Sequence, residues 1–388
     1  MNNGKVIYFD NNATTQIAPE VYQAMIPYLT EYYGNPSSIH RFGGQLAKKI
    51  EEARGQLGTL LGAQESEIIF TSCGTESDSS AIRSALAVCP KRKKIVISKV
   101  EHPAILNLAR DMERQGVKVS QIPVDSKGRL DMERAKEMID IETAVVSVMW
   151  ANNETGNIQP VVELAEYAHK FGALFHTDAV QAVGKIPMKL SELPIDMLSL
   201  SGHKFHAPKG VGALYVKRGV RFHPFLIGGH QERGRRAGTE NLTSIVGLGK
   251  AAELAYANID AENTQVRALR DRLEQGVLAS IPSVRINGDI EHRLPNTSNI
   301  SFEYIEGESI LMLLDMHNIC ASSGSACTTG SLEPSHVLRA MGVPYTAAHG
   351  SIRFSFSRYN TVEEVDTVLE LLPPIIARLR EISPYWHK

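Results

Sequence analysis

One lysine in this chain is placed where its amine could make a covalent bond. Lys204 lies in Leu200-Ser201-Gly202-His203-Lys204-Phe205-His206-Ala207-Pro208-Lys209-Gly210-Val211-Gly212, where an apolar strand runs into a turn crowded with polar and cationic groups. A lysine among other cations has a lowered pKa and can form a Schiff base with a carbonyl compound. Ser201 and His203 are both able to bind phosphate oxygens. The alternative is a basic surface loop, a weak reading for so specific a run. His203 and His206 are not read as a metal pair, because no cysteine or carboxylate cluster accompanies them.

The second reactive candidate is a thiol. Cys327 sits in Asn318–Pro334, NICASSGSACTTGSLEP, a stretch dominated by Ser, Gly, Ala, Cys and Thr. Such a composition is poor in core-forming side chains and predicts a mobile loop over about residues 321–333. A cysteine there is not structural, so its thiol is meant to reach something. Cys320 follows the apolar Asn318-Ile319 step and reads as buried, Cys73 could line a turn, and Cys89 ends a helix. With no CxxC pair, a disulfide framework is not expected.

Three further segments could bind a ligand. Thr71-Ser72-Cys73-Gly74-Thr75-Glu76-Ser77 follows a strand and opens a helix, so its amides and the Thr75 hydroxyl could hold an anion. Taken alone, that segment is better read as a plain capping box. Phe175-His176-Thr177-Asp178-Ala179-Val180-Gln181 puts an acid just past an apolar strand, at the edge where open α/β sheets bind ligands. A helix N-cap is an even alternative for Asp178. Arg353, in the alternating strand Gly350–Ser357, could clamp a carboxylate or make a structural ion pair. Gly247-Leu248-Gly249-Lys250-Ala251-Ala252 imitates part of a dinucleotide fingerprint, but it lies inside a continuous helical pattern and is rejected.

The elements that must position these groups follow from periodicity. Apolar runs at Ile68–Phe70, Lys94–Ser98, Val117–Ile122, Ala144–Trp150, Ala173–His176, Met197–Leu200 and Gly212–Val216 are mostly separated by helical spacing, as at Thr75–Val88, Ala104–Gln115 and Val161–Phe171. That alternation predicts an α/β fold with a mainly parallel sheet covered by helices. Gly238–Ile259 and Ala261–Ala279 read as two helices. Beyond Pro282, strands at Ser283–Asn287, Ser298–Phe302 and Ser351–Ser355 interleave with helices near Ser309–Met316, Pro334–Met341 and Val362–Leu372, which predicts a smaller α+β domain. The boundary is expected near residue 260, giving a large domain over 16–260 and a small one from 1–15 with 261–388.

The balance of 41 basic and 43 acidic side chains over 388 residues argues against direct nucleic-acid binding. No apolar run approaches the length of a bilayer span, and the first residues carry no signal-peptide pattern, so a cytoplasmic protein with no membrane association is expected.

Taken together the segments resemble the pyridoxal-phosphate enzymes of the aspartate-aminotransferase fold, class-V branch. More narrowly they are similar to cysteine desulfurases of the nitrogenase-maturation class. The resemblance runs from Phe9-Asp10-Asn11-Asn12-Ala13-Thr14-Thr15, through Tyr33–Gly43 (YGNPSSIHRFG), Val100–Ile105 (VEHPAI) and Ala151–Gly156 (ANNETG), to SGHKFHAPKGVG and SSGSACTTG. It implies a seven-stranded sheet in the large domain and Lys204 as the covalent anchor of pyridoxal 5'-phosphate. Asp178 would pair with the ring nitrogen, Gln181 with the phenolic oxygen, and His102 would stack on the ring. Gly74, Thr75, Ser201 and His203 would hold the phosphate, with Thr239 reaching the phosphate of the other subunit of a homodimer. Asn153 and Arg353 would bind the substrate, L-cysteine. Cys327 would take its sulfur as a persulfide and pass it to an iron–sulfur scaffold protein or another acceptor. A metal cluster shared between that persulfide and the scaffold is compatible with this picture. The region from Cys327 to Tyr359, and the absence of a longer tail after Pro384, resemble the nitrogenase-dedicated type. Ser79-Ser80 departs from relatives that carry Asn after the Asp. An aminotransferase or selenocysteine lyase on the same fold would need Lys204 and Asp178 but not this cysteine. A non-catalytic carrier using Cys320 and Cys327 would need neither.

Overall fold

The computed structural model describes residues 5–323 and 334–386. Its strands are β1 (Ile7–Tyr8), β2 (Ile68–Thr71), β3 (Lys94–Ser98), β4 (Lys118–Ile122), β5 (Thr143–Ser147), β6 (Leu174–Asp178), β7 (Met197–Ser201), β8 (Gly212–Val216), β9 (Val284–Ile286), β10 (Thr297–Phe302), β11 (Ile319–Cys320) and β12 (Ser351–Ser355). The principal helices are α1 (Ala47–Leu61), α2 (Gly74–Val88), α3 (Pro103–Arg114), α4 (Val161–Lys170), α5 (Leu242–Ala257), α6 (Arg267–Ser280), α7 (Gly307–Asp315), α8 (His336–Ala340) and α9 (Val362–Ile382).

Seven strands form one sheet in the order β2-β8-β7-β6-β5-β3-β4. All neighbours are parallel except β8, which runs antiparallel to both β2 and β7. Strands β2, β3, β5, β7 and β8 are buried at every residue, as helices on both faces require, and this is why they read as unbroken apolar runs. Edge strand β4 is mostly uncovered and carries Lys118 and Gln121. The alternation sends the carboxyl ends of β2, β6 and β7 to one edge of the sheet. Thr71, Asp178 and Ser201 therefore finish their strands side by side.

A separate apolar core surrounds the antiparallel sheet β12-β10-β9, built from Phe302, Phe354, Val368 and Leu372 among others. Ile7 and Phe9 pack into this second core rather than the first. β1 pairs in parallel with β11, placing Tyr8 opposite Cys320.

Each of the seven strand runs read from the sequence is a strand of the large sheet. Three helices differ from expectation. The run at Gly238–Ile259 is helical only over Leu242–Ala257, because Asn241 caps it, its side chain accepting from the Ser244 N–H. The run at Ala261–Ala279 is helical but contains a π-helical turn at Glu262–Val266. The last helix does not stop at Leu372; it passes through Pro373-Pro374 to Ile382. Each proline removes a ladder hydrogen bond, but Ile375 and Ile376 are buried beyond them, and Arg380 donates to the carbonyls of Pro282 (2.7 Å) and Ser283 (2.9 Å). Among the described residues no helix is long and apolar enough to cross a membrane.

One buried ion pair ties α1 to the strand that leads into the Cys73-Gly74 turn. Arg54 donates to both Glu232 oxygens (2.8 and 2.9 Å) and to the Ile68 carbonyl, while Glu232 also accepts from the Phe70 N–H at 2.9 Å. Glu232→Ala should leave the buried Arg54 guanidinium with only the exposed Glu51 carboxylate (3.1 Å) as counter-charge, at about 3 kcal/mol, and lower the thermal midpoint of unfolding. A melting curve superimposable on that of the native chain would show that Arg54 is satisfied without Glu232.

Candidate active site

A cavity of about 360 Å³ opens where β2, β6 and β7 end. Its wall includes Gly74, Thr75, His102, Asn153, Asp178, Gln181, Ser201, His203, Lys204 and Arg353. Residues chosen from segments spread over some 280 positions thus converge on one space. Among the described residues, one assigned residue is not brought there. Thr239 is exposed and is not part of this wall. Cys327 lies outside the described residues, although Ser322 and Ser323, just before it in sequence, do line the cavity.

The anion-binding end is the start of α2. Cys73 occupies its N-cap without making a side-chain cap, so the first turn keeps amide donors to offer. Glycine is required at two points. A Cβ on Gly74 would lie 2.8 Å from Val180 Cγ2, and one on Gly212 would lie 2.9 Å from the Cys73 carbonyl carbon. Outside the cavity, Arg236 grips both oxygens of Glu76 (2.8 and 3.1 Å) and fixes the same helical turn.

Lys204 ends a short turn after β7. Its Nζ donates to the carbonyls of Asn12 (2.6 Å) and Ala13 (2.9 Å). The turn and the N-terminal segment are laced together. His203 Nδ1 meets Thr14 Oγ1 at 3.1 Å, Thr15 Oγ1 donates to the His203 carbonyl, and His206 N–H donates to Thr15 Oγ1. Burial and the nearby Lys204 ammonium push His203 down to about 4, so its ring is neutral.

His102 N-caps α3, its Nδ1 accepting from the Ala104 N–H at 3.1 Å. Burial, with a contribution from Lys204, pushes it down to about 4. A neutral ring with an accepting Nδ1 carries its proton on Nε2. That leaves a flat aromatic face and one N–H donor at the cavity wall.

Asp178, at the end of β6, accepts from the Val180 N–H at 2.9 Å. Burial pushes its carboxyl up to about 6, opposed by that N–H and by Lys204. His176, two residues earlier, is clamped between Ser147 Oγ (2.8 Å) and Ser199 Oγ (2.9 Å), and burial pushes it down to about 3. An acid that sequence reading did not assign stands with them. Asp78 is buried and lines the cavity, its Oδ1 has no hydrogen-bond partner, and burial together with Asp178 pushes its carboxyl up. The available signal was its place four residues after Gly74, one helical turn along the same face.

At the opposite wall, Arg353 donates to the Asn153 carbonyl (2.9 Å) and to Asp10 Oδ1 (2.8 Å). Asp10, also in the wall, was quoted within a motif but given no role. His206, excluded above as a metal ligand, meets the Gln16 carbonyl at 3.0 Å. Among the described residues the grouping able to hold a metal is Asp289, Glu291 and His292, none of which lines the cavity.

The arrangement offers a helix terminus for an anion, a buried acid for a basic ring nitrogen, an amine for a carbonyl, and a guanidinium for a carboxylate. A model of the class-V aminotransferase family matches residues 7–368, and the chain belongs to that family. It is 60% identical to the cysteine desulfurase NifS of Azotobacter vinelandii over 381 residues, covering 98% of this chain and 95% of that one. It is 61% identical to a cysteine desulfurase of Gluconacetobacter diazotrophicus over 382 residues, 98% of this chain and 96% of the relative. Among solved structures it resembles a NifS-like protein with a TM-score of 0.91 at 39% identity, over 97% of this chain and 100% of that one. It also resembles SspA in complex with cysteine, with a TM-score of 0.81 at 32% identity, over 92% and 100% of the two chains. Within its family, therefore, the chain is a cysteine desulfurase.

Glu101 precedes His102 and is wholly buried, accepting from Ser98 Oγ and from the Met149 N–H. Burial pushes its carboxyl from 4.5 up to about 8. The folded state therefore holds this proton more tightly than the unfolded chain. Stability is unaffected below the unfolded pKa and falls as pH rises toward the folded one. Glu101→Gln cannot ionise, so its thermal stability relative to the native protein should improve between about pH 5 and pH 9, by on the order of 1–4 kcal/mol. A difference that stays flat with pH would show that Glu101 is ionised throughout.

Proposed function

We propose that the chain takes sulfur from L-cysteine, releases L-alanine, and carries the sulfur as a persulfide on Cys327 to acceptors in iron–sulfur cluster assembly, nitrogenase clusters included. The observation that carries this reading is the convergence of Lys204, Asp178, His102 and Arg353 on one cavity. The set fits pyridoxal 5'-phosphate. The first turn of α2, which has no side-chain cap, offers amide donors to an anion, and the buried Asp178 suits a protonated ring nitrogen.

When bound, pyridoxal phosphate supplies an electron sink for the charge left at the substrate Cα. Gly74, Thr75, Ser201 and His203 hold the phosphate, and Thr239 of each protomer completes the phosphate site of the other in a homodimer. Asp178 holds the ring-nitrogen proton, Gln181 donates to the phenolic oxygen, and the neutral His102 covers the ring face. Arg353, steadied by the Asn153 carbonyl, takes the substrate carboxylate, and Asn153 shares in orienting it. Lys204 Nζ would anchor the cofactor and, as a free amine, would take up the substrate Cα proton. The Cys327 thiolate then attacks the substrate sulfur. A new S–S bond forms as the C–S bond breaks, and the carbon side, once protonated, leaves as alanine. No oxidant is needed.

The described flanks of the Cys327 segment support this delivery. Ser322 pairs with the Arg353 backbone, its N–H donating at 3.1 Å, and Ser335 Oγ donates to Glu154, one residue after Asn153. The division into a large domain over 16–260 and a small one from 1–15 with 261–388 is supported by the packing of Ile7 and Phe9 in the second core. A metal shared through the Cys327 persulfide belongs to the transfer step with the scaffold and is not a resident site of this chain.

The test is a visible spectrum of the purified protein before and after L-cysteine, with alanine and sulfide assayed under a thiol reductant. A band near ~400 nm that shifts with substrate, and matched alanine and sulfide, are expected. Cys327→Ala should keep the band and its response to L-cysteine while losing at least about 100-fold in sulfide release. A Cys327→Ala protein with native turnover would sink the persulfide step. A colourless protein, inert after added pyridoxal phosphate, would sink the whole reading.

A further inference from the structure

A second, much smaller cavity also touches Lys204. It measures about 20 Å³, room for one water, and its wall includes Lys185, Glu262, His206 and Arg358. Lys185 follows β6 in sequence and is only 6% exposed. Its Nζ donates to the Gln181 carbonyl (3.0 Å) and to Gln181 Oε1 (3.2 Å). Gln181 Nε2 in turn donates to the Asn12 carbonyl at 2.9 Å, the same oxygen that accepts from Lys204. An ammonium can only donate. Lys185 therefore fixes which way the Gln181 amide points, with Oε1 toward Lys185 and Nε2 toward the Asn12 carbonyl.

The charges facing Lys185 come from four places. Glu262, in the π-helical turn, attracts it, and Lys204 and Arg353 repel it. Arg358 lies on the far wall, where it interacts with Glu262. His206 is pushed down to about 4 by burial and stays neutral. Burial, opposed by Glu262 and reinforced by Lys204, pushes Lys185 itself down to about 8, so it remains a cation at neutral pH. A lysine that merely anchored the turn after β6 would have no reason to be aimed at the side chain of Gln181.

We propose that Lys185 is a positioning residue for the chemistry at Lys204, orienting the Gln181 amide toward the cofactor and, as a second buried cation, lowering the proton affinity of the bond Lys204 makes to it. This rests on the assignment of Lys204 and Gln181 given above. Both effects act in the same direction. A donor on the phenolic oxygen and a nearby positive charge each disfavour an extra proton on the Lys204 nitrogen.

The experiment is a spectrophotometric pH titration of the holoenzyme's visible band, with a thermal melt of each variant as a check on folding. Lys185→Met should raise the midpoint by about one pH unit, and Lys185→Arg, which keeps the cation and its donors, should return it toward the native value. Lys185→Gln removes the charge but keeps a donor, so it should also raise the midpoint, by less than Lys185→Met. A Lys185→Met midpoint equal to or below the native one overturns the proposal. If that variant does not fold, an unmoved or lowered midpoint in Lys185→Gln overturns it instead. A native protein that gains no visible band overturns this proposal together with the assignment of Lys204. A native band with unmoved variants overturns this proposal alone.

Discussion

The site is organised around one half-buried amine that has to be satisfied. An ammonium taken out of water is costly unless acceptors surround it, and Lys204 finds two in the carbonyls of Asn12 and Ala13. Those carbonyls belong to a segment locked onto the three-stranded sheet. Asn11 Nδ2 donates to the Ser355 carbonyl, Asn12 N–H to Ser355 Oγ, and Asn12 Nδ2 to Thr297 Oγ1. A lysine carried by the large sheet is thus held by residues packed with the second core. Arg353 makes the complementary link, reaching from β12 to Asn153 and Asp10. The cavity exists because two cores share these few hydrogen bonds.

The same dryness governs the protonation of everything around the amine. Burial drives ionisable groups toward their neutral forms. His102, His176 and His203 are all pushed down, while Glu101, Asp78 and Asp178 are all pushed up. Asp78 and Asp178 raise each other's cost of ionisation, so the pair favours a single negative charge. A cation beside Asp178 would reverse its shift, because attraction to an opposite charge outweighs desolvation when geometry is close. A protonated ring nitrogen is such a cation, and its binding would draw the charge of the pair onto Asp178.

Much of this was legible in the sequence because strand ends are legible. Unbroken β-branched runs gave all seven strands of the large sheet, and a ligand site at their carboxyl edge follows from the topology. Asp178, Ser201 and the Gly74 turn each stand at such an end. The misreadings have equally local causes. Pro373-Pro374 is a valid stop signal, overridden by burial of Ile375 and Ile376. The helix read from Gly238 begins at Leu242 instead, because Gly238-Thr239-Glu240 offers nothing to bury and Asn241 caps the first turn. Asp10, Asp78 and Lys185 were given no role for a different reason. Asp10 meets Arg353 across most of the chain, where no spacing rule applies, while Asp78 and Lys185 each stand four residues from a residue of the site, Gly74 and Gln181, a signal that identifies a shared face but not a role.

For Cys327 the inference runs from composition rather than contact. A run of small polar residues has little to bury, and a thiol within it has no packing role. What the structure adds is where the run departs and returns. Ser322 is paired to Arg353, the residue assigned to the substrate carboxylate. Ser335 caps α8 and donates to Glu154, the neighbour of Asn153. Both flanks are tied to residues of the substrate wall and neither to the phosphate end.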